Sequence, residues 1–385
     1  MRLLLISSKP CLPSLDGGCM ASLRLLENAI SSGFEVSHFT YSSEKHPFDI
    51  NQFTNHFGEN FRVKTQVVDL KMNPIKAVLN LLRNKSYNLS RFYSLPFLKS
   101  VKEEIDQFEP EIILFDSLFS AAMISEIGKL TNAKLVIRTH NVEHKIWEYN
   151  SSNSKNGFKS LYLSILAKQL KREEIEILKH TDTILTISDE DTKAFEELTT
   201  KNVRIFHYLP SSTSGQVKTT KNKIQFFGSM NWAPNLMAVD ELKNDIFPML
   251  QSRMSLVELH LAGSFQPNKK LSHSSIINHG FVEDIDRFIK ENGILVAPIR
   301  SGSGVKIKII EALAKGIIVV TTKLGAIGIE ADEKSGLFVR ETSSEMVDLI
   351  ATILSDTSMQ EELSKAAKLN FKARFKTQNL YKEIG

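Results

Sequence analysis

The stretch Ala297–Gly316, APIRSGSGVKIKIIEALAKG, joins a buried strand, a glycine turn and a helix without a break. The apolar run from Ile294 stops at Pro298, Gly302 to Gly304 form the turn, and apolar side chains then recur at helical spacing from Val305 to Lys315. Such a junction presents successive backbone N–H groups beside a helix amino terminus, a setting that favours a diphosphate. Lys306 and Lys308 add two cations. Glu311 lies about two turns into the helix, and helical side chains lean toward the amino terminus, so its carboxylate suits the paired hydroxyls of a ribose. Spacing alone equally allows an exposed ion pair with Lys308 or Lys315, of about 0.2–0.5 kcal/mol. The stretch lacks the Gly-Lys-Ser/Thr ending of a P-loop, and no GxGxxG follows the first strand, so ATPase and dehydrogenase readings lose their anchors.

Outward from this stretch, short apolar runs alternate with helical segments, the pattern of parallel strands covered on both faces. Strands are expected at 2–7, 35–40, 62–68, 112–115, 135–139, 183–187 and 203–206, then at 223–227, 257–262, 277–279, 294–298, 317–321 and 337–339. Helices are expected at 20–32 and 157–180, and later at 236–250, 285–291, 305–315, 344–354 and 359–371. Between the two series, Pro210–Asn222 is rich in Ser, Thr, Gly and Lys and reads as a linker. The expectation is an α/β chain of two Rossmann-like domains facing each other across a cleft. The first covers 1–209 and the second 223–371, with a terminal helix near 372–385 packing back on the first. A length of 385 residues favours two cores over one.

Two other strand-to-helix junctions draw attention. Ser14 to Gly18 carries the pair Gly17-Gly18 after the first strand. Phe227 to Asn235 carries Gly228, with Asn231 and Trp232 as surplus polar and aromatic groups and Asn235 as the expected helix cap.

The 48 basic and 44 acidic residues balance too closely to imply nucleic acid. They are not evenly spread. From Phe61 to Lys102 nine basic residues (Arg62, Lys64, Lys71, Lys76, Arg83, Lys85, Arg91, Lys99, Lys102) face one acid, Asp69, interleaved with Leu79, Leu81, Leu82, Phe92, Tyr93, Leu95 and Phe97. This segment suits anionic lipid headgroups; a solvated face over core residues is the alternative. Cys11 and Cys19 alone make neither a disulfide framework nor a metal cluster, which favours a reduced, cytoplasmic setting. Leu3–Ile6 is too short for a signal-peptide core, and no apolar run has the length of a membrane span, so membrane contact would be peripheral.

GSGVKIKIIEALAKGIIVVTT, with FFGSMNWAPN, LHLAG and GFVEDI upstream and SGLFV downstream, resembles the nucleotide-binding half of GT-B glycosyltransferases of family 4. The early Gly-Gly, RTHNVEH and ILTISDED extend the resemblance over most of the chain. It implies a retaining, metal-independent transferase without cofactor. A UDP- or GDP-sugar donor would bind the second domain, and a glycan or lipid-linked acceptor the first. It places Glu311 on the donor ribose, the amides of Gly302, Ser303, Gly304 and Val305 on the sugar or phosphate, Lys306 and Lys308 on the diphosphate, and Phe281-Val282 near the base. Gly17, Gly18, Gly228 and Asn231 would border the donor, and His140 would sit beside the transferred sugar. Two positions depart from the family pattern: Ser303 replaces the first glutamate of Glu-x7-Glu, and the GSMNWAPN loop has no basic residue. A sugar-nucleotide epimerase of the same fold and a catalytically silent binder are the alternatives.

Overall fold

A computed structural model describes residues 1–210, 222–263, 274–302, 304–329, 332–374 and 379–385. The expected linker therefore lies, but for its ends, outside the described residues, as does Ser303. The chain divides into two compact units, one of Met1–Ser14, Gly18–Tyr208 and Gln378–Gly385, the other of Leu15–Gly17 and Leu209–Thr377.

The first unit is a seven-stranded parallel sheet in the order β3-β2-β1-β4-β5-β6-β7. Its strands are β1 (Arg2–Ser7), β2 (Glu35–Ser42), β3 (Arg62–Val67), β4 (Ile112–Asp116), β5 (Lys134–Arg138), β6 (Thr183–Thr186) and β7 (Asn202–Ile205). The central strands read RLLLIS and IILFD because both faces of β1 and β4 are covered; Leu3 to Ile6 and Ile113 to Phe115 are fully buried. Each such Leu, Ile or Phe contributes about 1.5–3 kcal/mol by leaving water. The order reverses between β1 and β4, which stay paired to Ser7 and Asp116, so the connections leaving their carboxyl ends run in opposite directions, the place where open parallel sheets take ligands.

The second unit repeats the plan with six parallel strands in the order β10-β9-β8-β11-β12-β13. They are β8 (Lys223–Phe227), β9 (Glu258–Ala262), β10 (Ile276–Gly280), β11 (Ile294–Ala297), β12 (Val319–Thr321) and β13 (Leu337–Val339). Its switch point lies between β8 and β11. All thirteen strands fall within two residues of their expected positions. The terminal helix Leu380–Ile384 packs within the first unit, where Lys134 Nζ donates to the Ile384 carbonyl and Tyr381 lies 5.3 Å from Phe34.

The segment 61–102 differs from its sequence reading. Phe92 and Phe97 are core residues: Phe97 stacks on Tyr41 at 4.1 Å, and the Tyr41 hydroxyl donates to the Phe92 carbonyl. Arg91 is half-buried, donating to the Leu70 carbonyl and Asn88 Oδ1 while lying over Tyr87. Arg62 and Lys64 pair with the buried Glu104, which also accepts from Ser37. Five residues of this stretch, Arg62, Lys64, Arg91, Phe92 and Phe97, thus serve the interior or its edge, as the alternative of a solvated face over core residues has it. No helix among the described residues is long and apolar enough to cross a membrane.

Candidate functional site

In the second unit β11 leaves the sheet at Ala297, and its exit is pinned from three sides. Thr321 Oγ1 donates to the Ala297 carbonyl, Thr322 Oγ1 to the Ile299 carbonyl, and Arg300 forms a two-pronged contact with Glu241 at 3.0 and 2.7 Å. The chain then turns through Gly302 and Gly304, with φ of 93° and 74°, a region that side chains with a Cβ rarely enter. A Cβ on Gly302 would also come within 2.7 Å of the Trp232 ring. Two of the three junctions singled out in the sequence, 227–235 and 297–316, therefore meet, with Trp232 against the glycine turn.

The helix after the turn is Ile307–Ala314, with Lys306 at its amino-terminal cap position. Lys306 is buried, its Nζ donates to the Gly304 carbonyl, and it lies 6.0 Å from the Trp232 ring. Loss of water pushes its pKa down to about 8. Lys308 Nζ sits 3.9 Å from the Phe226 ring and donates to Asn235 Oδ1 at 2.6 Å. Desolvation, and then the charge of Lys306, hold the Lys308 ammonium well below the ordinary lysine range. Among the described residues no carboxylate forms an ion pair with Lys308. Gly228 permits this packing, because a Cβ there would lie 2.7 Å from both Lys308 Nζ and Asn235 Nδ2.

Two sequence readings need correction here, the cap at Asn235 and the exposed ion pair of Glu311. Asn235 is not the helix cap. The helix Ala233–Glu241 is preceded by Trp232, which provides no capping hydrogen bond, and Asn235 in the first turn instead ties the Ser229 carbonyl to Lys308. Asn231 is exposed. Glu311 is not on an exposed face. It is buried and paired with buried Lys315, which in turn contacts Asp286 Oδ1 at 3.0 Å. The helix turns that face inward because Ile309, Ile310, Ala312 and Leu313 occupy the same core. Phe281 and Val282 follow the carboxyl end of β10; Phe281 is exposed and Val282 half-buried. Val305 is half-buried beside Lys306.

Gly17 and Gly18 open the helix Gly17–Ser31, whose residues from Gly18 on belong to the first unit. Ser22 on that helix donates to Asp116 Oδ2 at 2.5 Å, at the end of β4. Asp116 Oδ1 meets Arg138 Nε at 3.0 Å and His140 Nε2 at 2.8 Å. Burial by itself would raise the Asp116 pKa, but Arg138, His140 and Ser22 outweigh it and hold the carboxyl below its usual range. His140 Nε2 also faces Arg138 Nη2 at 3.1 Å, so this one nitrogen lies between the carboxylate and the guanidinium. The following loop is held by Glu174, which accepts from the Glu143 amide and contacts His144 Nδ1 at 2.5 Å. The sequence pointed to His140 but missed Ser22, Asp116 and Arg138. The one available signal was a carboxylate ending an otherwise apolar strand, IILFD.

The fold defined by these two sheets is the α/β GT-B fold of glycosyltransferases. Residues 221–356 match the family model described as glycosyl transferases group 1. Sucrose-phosphate synthase from Thermosynechococcus elongatus is similar at 14% identity and TM-score 0.65, over 97% of this chain and 95% of that one. TarM of S. aureus, in a structure with Fondaparinux, alpha-GlcNAc-glycerol and UDP, is similar at 11% identity and TM-score 0.69, over 100% and 99%. HepE of Anabaena in complex with UDP-glucose is similar at 13% identity and TM-score 0.63, over 97% and 95%. No curated protein matches in sequence.

Proposed function

We propose that the protein is a retaining glycosyltransferase that moves a sugar from a nucleotide-sugar donor to an acceptor hydroxyl on a glycan or lipid-linked glycan at the cytoplasmic membrane face. The observation that carries this reading is the lysine pair of the second unit. Two ammonium groups beside a glycine turn, both depressed by loss of water, lie inside the segment that matches glycosyl transferases group 1. A diphosphate arriving there supplies the negative charge that such groups need, and the turn amides supply donors. Glu311 accepts from the ribose hydroxyls, exchanging part of its contact with Lys315. Phe281 and Val282 border the base, with Gly228 and Asn231 near the phosphate and sugar.

His140 of the first unit contacts the reacting sugar, with Asp116 and Arg138 setting its orientation, and Gly17 and Gly18 border the donor. As the acceptor hydroxyl attacks the anomeric carbon on the face from which the nucleoside diphosphate leaves, a departing phosphate oxygen takes its proton. The lysines and amides stabilise the leaving charge, so no metal and no pair of catalytic carboxylates is required. A thermal-shift screen of nucleotide sugars tests the reading, since a ligand that binds only the folded state stabilises it. A UDP- or GDP-sugar should raise Tm, and its consumption should depend on an acceptor. No shift with any nucleotide sugar would overturn the donor site; turnover without acceptor would point to an epimerase.

A further inference from the structure

The helix Pro74–Leu82 buries only Ala77. Leu81 is half-buried, whereas Ile75, Val78, Leu79 and Leu82 fall at i, i+3, i+4 and i+7 and are exposed, Ile75 to 73% and Leu82 to 77%. That is the spacing of a core-facing stripe, turned to solvent. The helix Gly157–Lys179 does the same at its start, where Phe158, Leu161 and Ile165 are exposed, Phe158 to 90%. The two helices are neighbours in one unit: Gln169 Nε2 donates to the Leu81 carbonyl at 3.1 Å, Arg172 donates to the Asn84 carbonyl, and Glu173 accepts from the Ser86 amide at 2.9 Å. Residues 158, 161 and 165 lie on the stripe that continues through 169 and 172, so both apolar faces border the same seam.

The two segments that carry these faces, 70–102 and 149–172, hold charge of one sign, with Glu173 at the far end of the seam. The chain carries no acidic residue between Asp69 and Glu103, and none between Glu148 and Glu173. Exposed cations on these segments include Lys76, Arg83, Lys85, Lys155, Lys159 and Lys168.

We propose that these two helices form one membrane-docking surface, on which the aliphatic side chains and Phe158 enter the headgroup region of a leaflet rich in anionic lipid and the lysine and arginine rim holds the headgroups. A second copy of this chain is a poor occupant, because a two-fold contact would set the basic rim against itself. Nucleic acid has no use for an aliphatic centre. The surface differs from the whole segment 61–102, since it omits the buried Phe92 and Phe97 and the half-buried Arg91 and adds the start of a helix remote in sequence. It does not rest on the transferase reading.

The test is co-sedimentation of the full chain with vesicles of phosphatidylglycerol and phosphatidylcholine in equal parts, against phosphatidylcholine alone. It is run at about 0.01 M and about 0.15 M salt, where the screening length falls from about 30 Å to about 8 Å. The wild type should bind the anionic vesicles more tightly, and more so at low salt. The triple variant Lys76→Gln, Arg83→Gln, Lys159→Gln should lose about 100-fold in partitioning, from about fivefold per charge. Phe158→Ser with Leu82→Ser should lose at least about tenfold at both salts. Equal binding to both vesicle types, no binding at low salt, or an unchanged charge triple would overturn the proposal. So would a wild-type dimer that the apolar variant dissolves in sedimentation velocity. Should the apolar variant fail to fold, the charge triple and the salt dependence decide.

Discussion

The carboxyl edges of the two sheets hold similar residues in opposite electrostatic states. In the first unit a buried carboxylate, Asp116, is met by Arg138, His140 and Ser22, so its charge is answered within the protein. In the second unit Lys308 is met, among the described residues, by an amide oxygen and an aromatic face, and Lys306 is depressed by burial. A site whose charges are already balanced orients a group, whereas a site with desolvated excess charge awaits a ligand of the other sign. On the proposed reading, the first edge positions His140 and the second takes the anion.

The largest effect expected from breaking this contrast is on the first edge. His140→Ala should lower turnover by about 100-fold or more while leaving donor affinity unchanged, because its contact is made at the reacting centre. Steady-state turnover beside a donor titration checks this; normal turnover would reduce the Asp116 network to a structural role. On the second edge, Lys306→Ala should weaken nucleoside diphosphate binding by about 10- to 100-fold and barely change binding of the free nucleoside. Equal losses for both, measured by calorimetry, would remove Lys306 from the phosphate site. Glu311→Gln should cost donor affinity about tenfold, since an amide is a poorer acceptor for two hydroxyls. An unchanged affinity would leave Glu311 as Lys315's partner alone.

The remaining predictions use the depressed Lys306. Its free-state pKa is about 8, and a diphosphate favours the charged form. Diphosphate affinity should therefore be full below pH 8 and fall above it, by at most about tenfold per pH unit, with Lys306→Ala flattening the profile. For folding the sign is opposite to that of a paired lysine. Between pH 8 and the unfolded value of about 10.4 the unfolded chain holds more protons, so stability rises with pH across that window, and the penalty is complete below it. Lys306→Met should then raise Tm at pH 7, by a gain of up to about 3 kcal/mol, while losing diphosphate affinity. A lower Tm would show that the ammonium is better solvated than its burial implies.

Order and type of the strands were legible in the sequence, because a strand covered on both faces must be a short apolar run wherever it pairs. The glycine turn at Gly302 and Gly304 was legible too, since positive φ is a local demand. What faces what was not. Asp116 meets Ser22 across 94 positions, and Lys315 meets Asp286 through the packing of two helices. The spacing of Glu311 and Lys315 allowed an exposed pair; only the surrounding core decided that it is buried. Likewise Phe97 and Leu82 are both apolar members of one basic stretch, yet one stacks in the core and the other faces solvent. Periodicity within a segment thus determined the elements, because backbone pairing and side-chain alternation are local. The tertiary structure decided burial, charge partners and ionisation, because desolvation and Coulomb energy depend on what distant elements bring within a few ångströms.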